Sequence, residues 1–238
     1  MSSDYERLAG AYAQHRTAHE PLVRELGARL TTTSRVLEIG AGTGNYVGAL
    51  RELVGCRCTA VEPSAGMREI ALGRGLDVDV KAGSAEALPF DAASFDFAYC
   101  VHVVHHVKDR PALFREAFRV LDDGGVFSIA TESEAMIRGR FPQSEYFPDS
   151  ASADLARYPR IAALEQMARR AGFRDWHETS LEIEIPITSA GAYEAKAFSS
   201  LHFVSDAAFE AGLGRLKADL ARGPLTERGR FALLWATK

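Results

Sequence analysis

The chain has 238 residues, 47% of them hydrophobic and 25% charged, a balance that fits one large globular domain and excludes wholesale disorder. Its 28 Lys and Arg against 32 Asp and Glu give a net charge of −4, without the concentrated basic face that a nucleic-acid binder needs. No apolar run approaches the ~20 residues of a membrane span, and the opening MSSDYERLAG has neither the basic segment nor the apolar stretch of a signal peptide. Cys56, Cys58 and Cys100 cannot build a paired disulfide framework, so a reducing, cytoplasmic setting is expected.

Residues 4–30 predict an N-terminal helical cap, with Leu22, Leu26 and Leu30 at helical spacing and Pro21 in a first turn. From Arg35 the pattern changes to short β-rich runs at Val36–Ile39, Cys58–Val61, Val78–Val80, Phe95–Val101 and Val126–Thr131. Helix-compatible stretches near 45–54, 64–73 and 110–121 separate them, the last with Asp109 as cap and Pro111 in its first turn. This alternation predicts βαβ crossovers and a parallel sheet covered on both faces. Cys56 and Cys58 fall on one face of the second strand, which suits a buried core better than a zinc site.

After Thr131 the rhythm breaks. Residues 132–158 read as irregular, with Pro142, Pro148, Phe141, Tyr146 and Phe147. A helix over 160–171 ending at Gly172, an alternating strand Leu181–Ile187, helical segments near 190–203 and 205–221, and a last strand Arg230–Thr237 follow. The pairs Arg138/Arg140 and Arg169/Arg170 read as solvated surface. An α/β sheet with an antiparallel edge addition results, and the insertions would lie as lids over the carboxyl ends of its strands, where such sheets bind ligands.

The most informative segment is Val36-Leu37-Glu38-Ile39-Gly40-Ala41-Gly42-Thr43-Gly44-Asn45, a glycine loop between the first strand and the first core helix. Glycines let the backbone turn sharply and approach a ligand closely. A dinucleotide loop has the spacing G-x-G-x-x-G; here it is G-x-G-x-G, and Glu38 stands two residues before it, where a carboxylate would face a doubly negative pyrophosphate. S-adenosylmethionine carries no phosphate and is cationic, so acids favour it. Glu62, closing the second strand in TAVEP, can accept hydrogen bonds from two ribose hydroxyls.

The segments VLEIGAGTGN (36–45), AVEPSAGM (60–67), GSAEALPFDAASFDFAYC (83–100), VHVVHHVKD (101–109) and FREAFRVLDDGGVFSIAT (114–131) together resemble the class I S-adenosylmethionine-dependent methyltransferases, in the small-molecule type 11 group that includes the ubiquinone and menaquinone methyltransferases. The terminal LLWATK resembles the antiparallel last strand of that fold. The resemblance implies a Rossmann-like, mostly parallel seven-stranded sheet with helices on both faces, an antiparallel last strand and helical lid insertions. A single domain would then divide into the cap at 1–30, a cofactor-binding core at 35–131, lid and acceptor-pocket elements at 132–222 and the closing strand at 230–238. Implied cofactor contacts are Glu38, Gly40, Ala41, Gly42, Gly44 and Asn45 around the methionine and ribose, Glu62 on the ribose, and Pro63 and Met67 near adenine. Ser84, Ala85 and Glu86 would meet the adenine edge; the family usually has Asp where this chain has Ser84. Cys100 and Val101 would run beside the transferable methyl, and Arg16, in a loose pattern with Tyr5 and Tyr12, would pair with the cofactor carboxylate.

The segment Cys100-Val101-His102-Val103-Val104-His105-His106 follows a strand expected to end at the site. Adjacent histidines do not converge easily on one ion, so no metal is expected. His105 is the candidate general base, since imidazole titrates near working pH. Methyl transfer is an in-line displacement favoured by alignment and a poorly hydrated pocket. Phe141, Tyr146, Phe147, Tyr193, Phe198, His202 and Phe203 could wall such a pocket or be ordinary core. The expected activity is methyl transfer to a small, partly apolar acceptor, with no nucleic acid as partner. An NAD-dependent oxidoreductase and a non-catalytic cofactor-binding protein are the alternatives.

Overall fold

The computed structural model describes residues 17–238. Tyr5, Tyr12, Arg16 and the start of the expected N-terminal helix lie outside the described residues. The helix α1 (Glu20–Gly27) carries Pro21 in its first turn and buries Leu22, Val23 and Leu26.

The strands β1 (Arg35–Ile39), β2 (Arg57–Glu62), β3 (Asp79–Ala82), β4 (Phe95–Val101), β5 (Leu121–Thr131), β6 (Arg174–Ile187) and β7 (Leu225–Thr237) form one sheet in the order β3-β2-β1-β4-β5-β7-β6. Pairings from β3 to β5 are parallel, and β7 runs antiparallel to both β5 and β6. The expected mostly parallel sheet with a reversed last strand is therefore found. Between the strands lie α2 (Asn45–Val54), α3 (Ala65–Gly73) and α4 (Arg110–Val120). Asp109 caps α4 by accepting from the Ala112 N–H at 3.0 Å, as the Asp-x-Pro spacing suggests.

The period of two along each strand sorts the core into two layers. Phe97 and Tyr99 face a cluster with Val36, Leu50, Cys58 and Trp235, against α1 and α2. Ala98 and Cys100 face the other cluster, with Leu37, Ile39, Phe114 and Ile129. That second layer is completed by α8 (Ile161–Ala171), which ends at Gly172 with φ +108°.

The stretch 132–158 departs from the expected irregular chain. It holds α5 (Glu134–Arg138), α6 (Gln143–Tyr146) and α7 (Pro148–Arg157). Pro148 is no breaker there. It opens α7, where the missing N–H would have had no helical partner. The segment 190–203 is likewise split into α9 (Gly191–Glu194) and a 3₁₀ turn (Ser199–Phe203), with Lys196 between them at φ +46°. The helix α10 (Asp206–Leu220) follows. Both β6 and β7 begin earlier than their apolar patterns suggest, because the early half of each pairs with the late half of the other, Arg174 opposite Thr237 and Leu225 opposite Ile187, while most of β6 stays exposed. Tyr146, Phe147, Tyr193, Leu201, Phe209 and Leu213 form a third cluster that holds the insertions together.

Candidate active site

The carboxyl ends of β1, β2 and β4 open into a cavity of about 490 Å³, a volume typical of small-molecule sites. The glycine loop shapes one wall. Gly40 has φ +75°, and a Cβ there would stand 2.7 Å from Val103 Cγ2, so the turn admits glycine alone without displacing Val103. The loop's donors point back into the protein: Gly40 and Ala41 donate to the Val61 carbonyl at 2.8 and 3.1 Å, and Gly44 to the Ala41 carbonyl at 2.9 Å. Gly42 donates to Glu62 Oε2 at 2.8 Å. A pyrophosphate requires such N–H groups free. Here four of them are spent, one on a carboxylate.

Glu62 ends β2 and is only 7% exposed, on the cavity wall. Its Oε1 accepts the Ser64 N–H at 2.9 Å, so each oxygen holds one backbone donor and keeps a further lone pair. Burial raises its pKa, against the pull of the Ser64 and Gly42 N–H groups and of Arg68. Ser64 also caps α3 by accepting from the Met67 N–H at 3.3 Å. That turn places Pro63 and Met67 on the wall beside Glu62.

Ser84, Ala85 and Glu86 line the same cavity. The Ser84 hydroxyl donates to Glu86 Oε2, and Glu86 Oε1 accepts from the N–H groups of Lys108 and Asp109 at 3.1 and 3.4 Å. Burial opposes ionisation of Glu86, yet these donors outweigh it and hold the pKa below the ordinary carboxylate value. Gly40, Gly42 and Val101 also line the cavity.

Five expected contacts lie off its walls. Glu38 shares the parity of Val36 on β1 and is buried under α2, where it accepts the Tyr99 hydroxyl at 3.1 Å and is 2% exposed. Burial pushes its pKa up to about 8, against hydrogen bonds from Tyr99 and the Val47 N–H. A neutral, enclosed Glu38 attracts no cation and repels no pyrophosphate, which corrects that part of the sequence argument. Cys100 falls on the opposite face of β4 from Val101 and is fully buried in the core. The Asn45 side chain is bonded to Arg74, a Cβ on Gly44 would meet Leu76, and Ala41 is buried in the layer beneath.

The loop after β4 brings His102, His105 and His106 to the cavity. His105 is 8% exposed and stacks on Tyr158, with ring centroids 3.9 Å apart and planes at 12°. Its Nδ1 is enclosed without a hydrogen-bond partner among the described residues, which leaves Nε2 as the nitrogen toward the cavity. Burial, followed by the neighbouring His106 and His102, holds its pKa well below the usual imidazole value. His106 is exposed at the cavity mouth. The His105 ring is neutral at pH 7.

The far wall is polar where an apolar lid was expected. Of the seven candidate lid side chains, only Phe198 lines the cavity; Tyr146, Phe147 and Tyr193 belong to the separate lid core, and Phe203 is 58% exposed. Arg140, read from sequence as solvated, is largely enclosed, with 12% of its side chain exposed. It makes a bidentate contact with Glu132 through Nε and Nη2 at 2.9 and 2.6 Å, and donates through Nη1 to Asp154 Oδ2 at 2.8 Å. Arg157 pairs with the other oxygen of Asp154 and reaches Ser199 Oγ at 3.1 Å. Gln143 Nε2 donates to Ser200 Oγ at 2.6 Å. Sequence reasoning missed these residues because Glu132, Arg140 and Asp154 meet only once three short helices fold over the sheet; the signal was paired charges within a stretch rich in aromatic residues.

A buried carboxylate with spare lone pairs, the apolar Pro63 and Met67 beside it and a loop with four N–H groups already bonded fit a phosphate-free nucleoside that presents vicinal hydroxyls. A family model for a methyltransferase domain matches residues 37–129. The chain is 31% identical over 169 residues to the demethylmenaquinone methyltransferase of Roseiflexus castenholzii, covering 59% of this chain and 68% of that protein. It is 36% identical over 115 residues to the ubiquinone/menaquinone biosynthesis C-methyltransferase UbiE of Stenotrophomonas maltophilia, covering 45% and 46%. It spans between 33% and 62% of the length of three other curated relatives it matches. A solved S-adenosylmethionine-dependent methyltransferase of Thermotoga maritima superposes with a TM-score of 0.63 over 100% of both chains at 24% identity, a likeness of fold. The chain belongs to the class I S-adenosylmethionine-dependent methyltransferases of the type 11 group, whose cofactor is S-adenosylmethionine.

Proposed function

We propose that this protein transfers a methyl group from S-adenosylmethionine to a small molecule held under its lid. The observation that carries the reading is Glu62, a buried carboxylate on the cavity wall beside a glycine loop whose Gly40, Ala41, Gly42 and Gly44 N–H groups are already bonded. When bound, S-adenosylmethionine supplies an electrophilic methyl group. Glu62 would hold the ribose hydroxyls, Pro63 and Met67 would pack on the adenine, and Ser84 to Glu86 would meet its edge. Gly40, Gly42 and Val101 would leave room for the methionine portion. Residues 35–131 thus serve as the cofactor-binding core and 132–222 as the lid and acceptor pocket.

His105 receives the proton that the acceptor gives up. Its pKa is low, but a hydroxyl oxygen becomes a strong acid as it gains the methyl, so a weak base that is neutral at rest suffices. Hydrogen bonding to Nε2 before reaction also orients the acceptor lone pair. The described cysteines are free and buried, which suits a cytoplasmic setting, and among the described residues no helix is long and apolar enough to cross a membrane. The net charge of −4 supports a small molecule over a nucleic acid as acceptor.

Calorimetry with S-adenosylhomocysteine tests the assignment. Glu62→Ala is expected to weaken binding by about 1.5–3 kcal/mol, the range for a hydrogen bond to a charged group. Unchanged affinity would remove Glu62 from the site.

A further inference from the structure

Glu132, Arg140 and Asp154 line the acceptor wall, Arg157 pairs with Asp154 from outside it, and the four charges cancel. Arg140 is 12% exposed at its side chain, Glu132 10% and Asp154 2%. The Arg140 fork is filled by Glu132, and Asp154 is shared between Arg140 and Arg157. The other cations on the cavity wall, Lys108, Lys196 and Arg230, are more exposed. Lys108 stands beside Glu86 on the cofactor side, where its backbone N–H bonds that carboxylate, and Lys196 and Arg230 each have an acid, Asp206 at 3.6 Å and Glu182 at 3.0 Å. An ion pair stays buried only while its geometry and hydrogen bonds are complete. A carboxylate or phosphate entering here would have to displace Glu132 from Arg140. An ammonium would have to draw Glu132 or Asp154 away from the arginines. Either exchange leaves a buried charge without its partner.

Two neutral groups on the same wall are uncommitted. The Tyr158 and His105 rings stack against each other, and neither the Tyr158 hydroxyl nor the His105 ring makes a hydrogen bond to a described side chain. One can donate and the other can accept.

Resting on the methyl-transfer reading above, we infer that the acceptor is an uncharged, hydroxyl-bearing molecule, selected by the charge-balanced Glu132–Arg140–Asp154–Arg157 network and held by His105 and Tyr158. The hydroxyl donates to His105 while Tyr158 donates to a second oxygen of the acceptor. The O–CH₃ bond forms as the S–CH₃ bond breaks, the sulfur keeps the bonding electron pair, and the hydroxyl proton passes to His105.

The test uses matched trios on phenol, naphthol and hydroxyindole skeletons, each bearing an ethyl, an aminoethyl or a carboxyethyl substituent. Binding to the protein saturated with S-adenosylhomocysteine is measured by calorimetry, and methylation by release of S-adenosylhomocysteine. The ethyl compound should bind at least tenfold more tightly than either charged member. Glu132→Gln, which leaves Arg140 in excess, should move the preference toward the carboxyethyl compound by at least tenfold. The double variant Glu132→Gln/Arg140→Gln restores the balance of charge and should restore the original ranking. A charged member preferred by the unaltered protein, no ethyl compound binding in any trio, or a ranking unchanged by Glu132→Gln in folded protein would overturn the inference. Failure of S-adenosylhomocysteine itself to bind would instead overturn the methyl-transfer reading.

Discussion

Glu38 stores a pH-dependent instability that can be read without any ligand. Folded, its carboxyl has a pKa pushed up to about 8 by burial, against a usual value of 4.5. The stability it allows is complete below pH 4.5 and is lost progressively as pH rises to about 8, because the unfolded chain ionises first. At about 1.4 kcal/mol per unit, the loss at pH 7 is on the order of 3 kcal/mol. Glu38→Gln keeps an oxygen for the Tyr99 hydroxyl and cannot ionise. The variant should match the unaltered protein at pH 4.5 and exceed it by roughly 3 kcal/mol at pH 7, or about 6–12 °C in melting temperature for a chain of this size. Urea unfolding of both proteins between pH 4.5 and 8 measures the difference. Parallel pH profiles would refute the burial argument, and a less stable variant at pH 7 would mean that Glu38 is ionised and paired in the fold.

His105→Ala should lower turnover by about 10²–10⁴-fold, the usual contribution of a general base, while leaving S-adenosylhomocysteine affinity unchanged; full activity would end its assigned role. Because burial holds the His105 pKa low, turnover of the unaltered protein should show no histidine titration between pH 6.5 and 8, and a limb in that window would contradict a neutral ring. Gly212 sits in α10 where a Cβ would lie 2.3 Å from the Tyr146 carbonyl oxygen. Gly212→Ala should therefore destabilise the lid by about 1–3 kcal/mol through overpacking, seen as faster proteolysis at residues 139–147; unaltered protection would show that α10 can move without cost.

The strand–helix alternation from Arg35 to Thr131 was legible because each element buries a face with its own period, and β4 and α2 match their expected limits. Parity was legible too, but it was not applied to the site. Counting by twos from Phe97 puts Cys100 in the core and Val101 on the opposite face, and the same count from Val36 puts Glu38 beneath α2. The stretch 132–158 of the lid was not legible. Its helices are four to ten residues long, too short for periodicity to declare itself, and its two prolines read as breaks. Its aromatic residues turned out to pack on each other, while Arg140, which resembles a surface charge in sequence, is enclosed by partners 8 and 14 residues away along the chain. Such pairing depends on how short helices stack, and a single sequence does not encode it locally.

The central claim is that the cavity beside Glu62 takes a cationic, phosphate-free nucleoside because the Gly40, Ala41, Gly42 and Gly44 N–H groups that would hold a pyrophosphate are already bonded within the protein. Titrating the purified protein in one calorimeter with S-adenosylmethionine and with NADH tests it most directly. The expected result is saturable one-to-one binding of S-adenosylmethionine and no heat of binding with NADH. Saturable binding of NADH, with S-adenosylmethionine giving none, would contradict the account.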